Sequence, residues 1–342
     1  MKKFLVPLDG SELSECVLPL VAHMARGLGA SITLLCVINP DTVAVQSLTG
    51  LKGLNTEITK GGGAPDTLRA RGLFSDDLPS YPHADDTVVR PYASHLFDRV
   101  QESVKKWFAK ETTRLGIEDI ATSRVEFGKI AETIVKVAER ESFDLIAMTT
   151  HGRTPLGRTL RGSVVDKVIR TSSVPILALK ADDAPVKMPE DVTMSTVIVP
   201  LDGSELAEQV LPQVGELARS LSLKVLLVRA VDMGAFAMPT NGYHYISTIS
   251  RDEVLGEEAE EYLEGVADRL RTKGLDIAWR VVWGNAARAI IDFVRETDAD
   301  MVAMATHARS GLPRFIIGSV SDKVVRSSGE PVLIVPPLQQ AA

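Results

Sequence analysis

The chain has 342 residues, 45% of them hydrophobic and 24% charged, which leaves room for two domains that can each bury a core. Its net charge of −7 gives no general attraction to nucleic acid or to an anionic membrane surface, and no apolar run reaches the length of a membrane span. The cysteines, Cys16 and Cys36, lack metal-ligand spacing and read as small core residues rather than a disulfide. The first nine residues turn polar too soon for a secretory signal, so a cytoplasmic protein is expected.

Residues 4–8 predict a short apolar strand that ends in Asp9-Gly10-Ser11-Glu12-Leu13. That cluster has the makings of a tight turn into a helix, with Ser11 as N-cap. Leu13, Val17, Leu20, Val21 and Met24 follow at helical spacing, with a stop expected near Gly27 and Gly29. The fully apolar run 32–38 predicts a buried strand. Residues 39–93 break the pattern: they hold Gly61-Gly62-Gly63 and five prolines, and they read as an insertion, either a functional flap or a surface segment. Helical periodicity returns over 94–115. It is followed by a strand at 123–127, a helix at 130–141, a strand at 144–149 and a last strand at 175–179.

The pattern then repeats. Val-Pro-Leu-Asp-Gly-Ser-Glu stands at 6–12 and again at 199–205. A loop that closes on Gly162-Ser163 recurs at Gly318-Ser319, and each copy opens a helix. The second copy predicts strands at 197–201, 225–231, 277–282, 300–305 and 331–335, with helices near 252–273, at 286–296 and from Ser319. Asp9 and Asp202 lie 193 positions apart but His151 and His307 only 156, which leaves 37 additional residues in the first copy. The expected division is therefore a first domain at 1–180 with the insertion inside it, a linker at 181–194 and a second domain at 195–342.

Strands alternating with helices imply parallel sheets. Each copy is expected to be a doubly wound, Rossmann-like α/β layer of five strands. In such sheets a ligand binds beyond the carboxyl ends of the strands. There the sequence puts an aspartate, an apolar strand end and a glycine-bearing loop that opens a helix, a natural seat for an anion. A carboxylate for ribose hydroxyls and N–H groups for phosphates suit a nucleotide. Arg153, Arg158 and Arg161 read as surface residues, and His151 as a structural hydrogen-bonder rather than a general base. The dinucleotide fingerprint is absent. Ser163 stands where a Walker lysine would be, which excludes a P-loop. No nucleophile elbow or H-E-x-x-H motif occurs.

At these motifs the chain resembles the universal stress protein family in its tandem form. The resemblance implies a strand order of 3-2-1-4-5 and a dimer or pseudo-dimer through the last strands. It also implies, for some members, ATP binding through Gly-x-x-Gly, nine residues, then Gly-Ser/Thr. By that resemblance Pro7, Val37 and Met148 line an adenine slot and Asp9 meets ribose, while Gly152, Gly162, Ser163 and Val164 hold phosphates. The counterparts are Pro200, Ala230, Met304, Asp202, Ala308, Gly318, Ser319 and Val320. The match is partial, because Thr149 replaces the first glycine and Ala305 and Ala308 replace both early ones in the second copy. Ala308 would narrow the phosphate space and would be strained at positive φ.

The expected function is a stress or signalling module that binds ATP or a related adenine nucleotide, with or without Mg, at least in the first copy. The alternative is an interaction protein independent of nucleotide, with the insertion as its partner-binding segment. The missing lysine and base argue against an ATPase. No catalytic residue, metal ligand, nucleic-acid partner or membrane partner is assigned.

Overall fold

The computed structural model describes residues 1–39, 86–151, 162–181, 192–232, 244–308, 315–316 and 318–337. The first copy supplies β1 (Lys3–Pro7), α1 (Glu12–Glu15), α2 (Leu18–Leu28), β2 (Ser31–Ile38), α3 (Asp86–Leu115), β3 (Ala121–Phe127), α4 (Ile130–Arg140), β4 (Leu145–His151), α5 (Ser163–Thr171) and β5 (Ile176–Ala181). The second supplies β6 (Thr196–Pro200), α6 (Glu205–Glu208), α7 (Leu211–Leu221), β7 (Lys224–Val231), α8 (His244–Arg271), β8 (Ile277–Trp283), α9 (Ala286–Glu296) and β9 (Met301–Ala305). A two-residue pair follows, β10 (His307–Ala308) and β11 (Phe315–Ile316), then α10 (Ser319–Ser327) and β12 (Val332–Val335).

Three expectations change. The first helix is two helices, α1 and α2. Pro19 sits at the start of the second, where its missing N–H costs nothing, so the apolar spacing runs unbroken across a real joint. The irregular stretch was expected to reach residue 93, but α3 begins at Asp86 and takes Pro91 into its second turn. Residues 40–85, the body of the predicted insertion, and residues 182–191 of the predicted linker lie outside the described residues, and Ala181 belongs to β5. Among the described residues no helix is long and apolar enough to cross a membrane.

Ten strands form one sheet in the order β3-β2-β1-β4-β5-β12-β9-β6-β7-β8. Each half has the order 3-2-1-4-5 and is parallel throughout. The halves meet where β5 pairs antiparallel with β12, with Leu177 opposite Leu333. Each copy contributes the five-strand layer expected of it, and the two layers join edge to edge through their last strands.

Strands buried on both faces are apolar at nearly every position. On one face Phe4, Val6, Leu34, Leu177, Leu333, Val199 and Leu227 form a continuous core beneath α2, α3, α7 and α8. On the other, Leu5, Leu35, Met148, Ile176, Ile334, Val302 and Val228 pack beneath α4, α5, α9 and α10. Both cores run through both halves. Contacts beyond the sheet reinforce the seam. The N-terminal ammonium of Met1 pairs with Glu216 on α7, and Arg170 on α5 feels the carboxylate of Asp322 on α10 as well as that of Asp166.

Candidate functional site

The carboxyl end of β6 is built by three consecutive residues. Asp202 accepts at Oδ1 from the Ser204 backbone N–H at 2.9 Å and from its hydroxyl at 2.6 Å. An aspartate bonding two residues ahead folds the chain into a turn. Gly203 takes φ +91, a conformation open to glycine and strained for other residues. Ser204 then caps α6, its Oγ accepting from the Ala207 N–H at 3.1 Å. The first copy repeats this with Asp9, Gly10 at φ 85 and Ser11. The motif thus holds each carboxylate at a strand end through bonds within its own three residues.

The short helix after the turn is pinned to the long helix beside it. Trp107 on α3 donates its indole N–H to Glu15 at 2.8 Å. In the second copy Tyr262 on α8 donates its hydroxyl to Glu208 at 3.1 Å, and Arg269 reaches the other carboxylate oxygen at 2.7 Å. Burial, chiefly, and the charges of Glu208 and Asp202 push the Tyr262 phenol well above its ordinary range. Arg229 lies over the Tyr262 ring at 5.1 Å. Its first-copy counterpart is Cys36, whose thiol is pushed up to about 12 by burial first and by Asp9 second.

Across from the carboxylate stands the start of α10. Gly318 is its N-cap, with φ −58 and ψ 154, and contributes no side chain. First-turn N–H groups of such a helix point outward with the positive end of the dipole. Asp322, at the end of that turn, is held by Arg326 at 2.8 Å. Gly162 and Asp166, with Arg170, repeat the arrangement in α5.

Between these two walls in the second copy lies a cavity of about 300 Å³. It is lined by Pro200, Leu201, Asp202, Leu206, Ala207, Ala230, Ala286, Ile290, Met304, Ala305, Gly318, Ser319, Val320 and Ser321. The structure thus brings together Pro200, Asp202, Ala230, Met304, Gly318, Ser319 and Val320, as the sequence expects. Ala308 falls in β10, paired with Phe315, and its side chain lies outside the described residues. That backbone is extended, so the strain feared for a positive φ does not arise.

In the first copy, Val37 and Met148 share one buried cluster with Val165, and Val164 packs against it. Pro7 ends β1, paired with Leu35, and Ser163 opens α5 behind Gly162. Gly152 and the loop residues Arg153, Arg158 and Arg161 lie outside the described residues, as do the side chains of His151 and His307.

Several lining residues were not anticipated. Ala286 and Ile290 come from one face of α9, four positions apart, a spacing that marks a shared wall. Leu206 and Ala207 follow directly on the Asp-Gly-Ser turn.

The apolar end (Ala230, Ala286, Ile290, Met304) and the polar end (Asp202, Gly318, Ser319) of this cavity fit the two halves of a nucleotide. The first suits an aromatic base. At the second, the start of α10 suits a phosphate and the carboxylate suits a sugar hydroxyl.

Comparison with known proteins agrees with this architecture. The family model described as the universal stress protein family matches residues 72–180 and again 194–336. Universal stress protein MJ0531 of Methanocaldococcus jannaschii is 29% identical over 141 residues, covering 41% of this chain and 80% of its own. Universal stress protein Rv2005c of Mycobacterium tuberculosis is 24% identical over 230 residues, 66% of this chain and 72% of its own. The crystal structure of a universal stress protein from Archaeoglobus fulgidus covers 98% of both chains with a TM-score of 0.53 at 19% identity, a likeness of fold.

Proposed function

This chain belongs to the universal stress protein family, with two copies of the family's domain in tandem, and from that premise we propose that it is a stress-response or signalling module that holds ATP or a related adenine nucleotide, with little or no hydrolysis. The observation that carries the reading is the second copy's cavity of about 300 Å³, bounded by the carboxylate of Asp202 at one strand end and by the uncapped start of α10. The base lies against Ala230 and Met304, the ribose beside Asp202, and the phosphates at Gly318 and Ser319. The corresponding first-copy set is Pro7, Asp9, Val37, Met148, Gly152, Gly162, Ser163 and Val164. Residues 1–180 and 195–342 act as the two binding units, joined at the β5–β12 seam. A Mg²⁺ in such a crevice takes its ligands chiefly from the phosphates.

Titration calorimetry with ATP tests the reading, on intact protein verified free of co-purified nucleotide and on Gly318→Val. A Cβ with two methyls at the helix start crowds the phosphates. Saturable heat in the wild-type protein, with at least one site weakened tenfold or more in a folded variant, is expected. Phosphate release is expected to stay at background. The absence of any heat from ATP sinks the reading.

A further inference from the structure

The two crevices have the same frame but different walls. Pro7 and Pro200, Asp9 and Asp202, Ile134 and Ile290, Met148 and Met304, and Gly162 and Gly318 are identical pairs in the repeat. All five exceptions put a smaller side chain in the second copy; one of them, Val165 to Ser321 on α10, also adds a hydroxyl, and the other four are alanines. Where the first copy has Val37, 4% exposed in the core beneath α4 and α5, the second has Ala230. Where the first has Ile130, packed against the same core, the second has Ala286. Thr149 likewise gives way to Ala305, and Ser14 to Ala207. All four alanines line the cavity of about 300 Å³.

Ala230 and Ala286 matter most because they stand at the apolar end. That end cannot take phosphates, since an anion placed among apolar side chains without partners is heavily penalised. The charged part of a ligand therefore goes to Gly318 and Ser319, and the base goes between Ala230, Ala286, Ile290 and Met304. There the walls have retreated by most of an isoleucine and most of a valine relative to the first copy. The space gained is apolar. Ala207 and Ala305 replace hydroxyl-bearing residues, and the one hydroxyl gained, Ser321 in the place of Val165, belongs to α10, whose start forms the polar end; the side chains that retreat at the apolar end offer no new hydrogen bond. A polar substituent on the base would lose water there without compensation, whereas an apolar one would gain contact.

Resting on the nucleotide reading, we propose that the second crevice accepts a purine nucleotide carrying an apolar substituent on its base, and that Ala230 and Ala286 set this selectivity against the first crevice. A single methylene in an apolar pocket discriminates between ligands by roughly 10- to 200-fold, so two enlarged side chains suffice to close the space.

The probe is N6-benzyl-ATP, titrated beside ATP into the full chain. The wild-type protein is expected to bind the benzyl analogue at one site per chain, within threefold of its affinity for ATP there. In Ala230→Val/Ala286→Ile, which rebuilds the first copy's wall, the affinity for benzyl-ATP is expected to fall at least tenfold further than the affinity for ATP. Ile130→Ala, made separately, is expected to open the first crevice and add a second benzyl-ATP site, which keeps the test alive if the double variant does not fold. Wild-type protein that binds ATP but rejects the analogue overturns the selectivity alone. So does a double variant that loses both ligands equally, or an Ile130→Ala chain that gains nothing. Failure of ATP itself to bind removes the nucleotide reading and this inference together.

Discussion

Glu330 stands just before β12 with Asp300 and Asp298 nearby, and burial first, then those two carboxylates, raise its pKa. A carboxyl whose folded pKa is raised holds its proton more tightly in the folded chain than in the unfolded one. Stability then falls as pH rises from the ordinary carboxylate value through the raised one. At neutral pH the ionised Glu330 is therefore a cost. Glu330→Gln should melt above wild type at about pH 7, and the difference should vanish below about pH 4, where both forms are neutral. A variant that melts lower at neutral pH would contradict this. Ser204 makes the opposite kind of contribution. Its hydroxyl both caps α6 and donates to Asp202, so Ser204→Ala should destabilise by about 1–2 kcal/mol, measured by denaturant unfolding. It should also weaken ATP in the second crevice by loosening the carboxylate. Cys36 is fully buried, and with its thiol pushed up to about 12 it should resist alkylation at neutral pH in the native protein. Rapid labelling there would mean that β2 opens readily.

The elements whose residues carry their own instructions were legible in the sequence. The Asp-Gly-Ser turns form through bonds within three residues, and α9 has its predicted bounds of 286–296. The buried strands announced themselves as apolar runs. What could not be read depends on partners distant in sequence. The joint between α1 and α2 is hidden because apolar spacing continues through it. A two-residue pair such as β10 and β11 is too short to show a period. Four of the fourteen lining residues come from α6 and α9, which the glycine motif does not mention. The close approach of α2 and α7 is likewise tertiary. A Cβ on Gly27 would overlap Cδ2 of Leu221 in the other copy. Glycine near a helix end is otherwise unfavourable, by up to about 1 kcal/mol against alanine. Gly27→Ala should therefore stabilise the chain in a Leu221→Ala background and gain less, or lose, in the wild type. Strict additivity in that double-mutant cycle would show that the two helices do not touch there.

At the scale of the whole molecule, the seam decides how the protein unfolds. Two copies joined only by a tether would melt as separate units, each with its own midpoint. Here β5 and β12 are interior strands of one sheet, Leu177 and Leu333 are both 0% exposed, and both cores cross the seam. Opening the seam would bare a long apolar strand edge on each half, the kind of surface that folded proteins avoid leaving uncovered. Unfolding one half would expose the seam strand and the adjoining core of the other, so the halves are expected to unfold together in a single calorimetric transition. Leu333→Ala leaves a cavity at the joint, and such truncations cost about 2–5 kcal/mol. It should lower the midpoint and keep one transition, because the cavity weakens a contact on which both halves depend. Nucleotide should shift that one transition even when it occupies only the second crevice, since a ligand stabilises whatever unit unfolds with its site. Two resolved transitions in the wild-type chain, with only one responding to ATP, would show that the copies are thermodynamically independent and that the continuous sheet does not couple them.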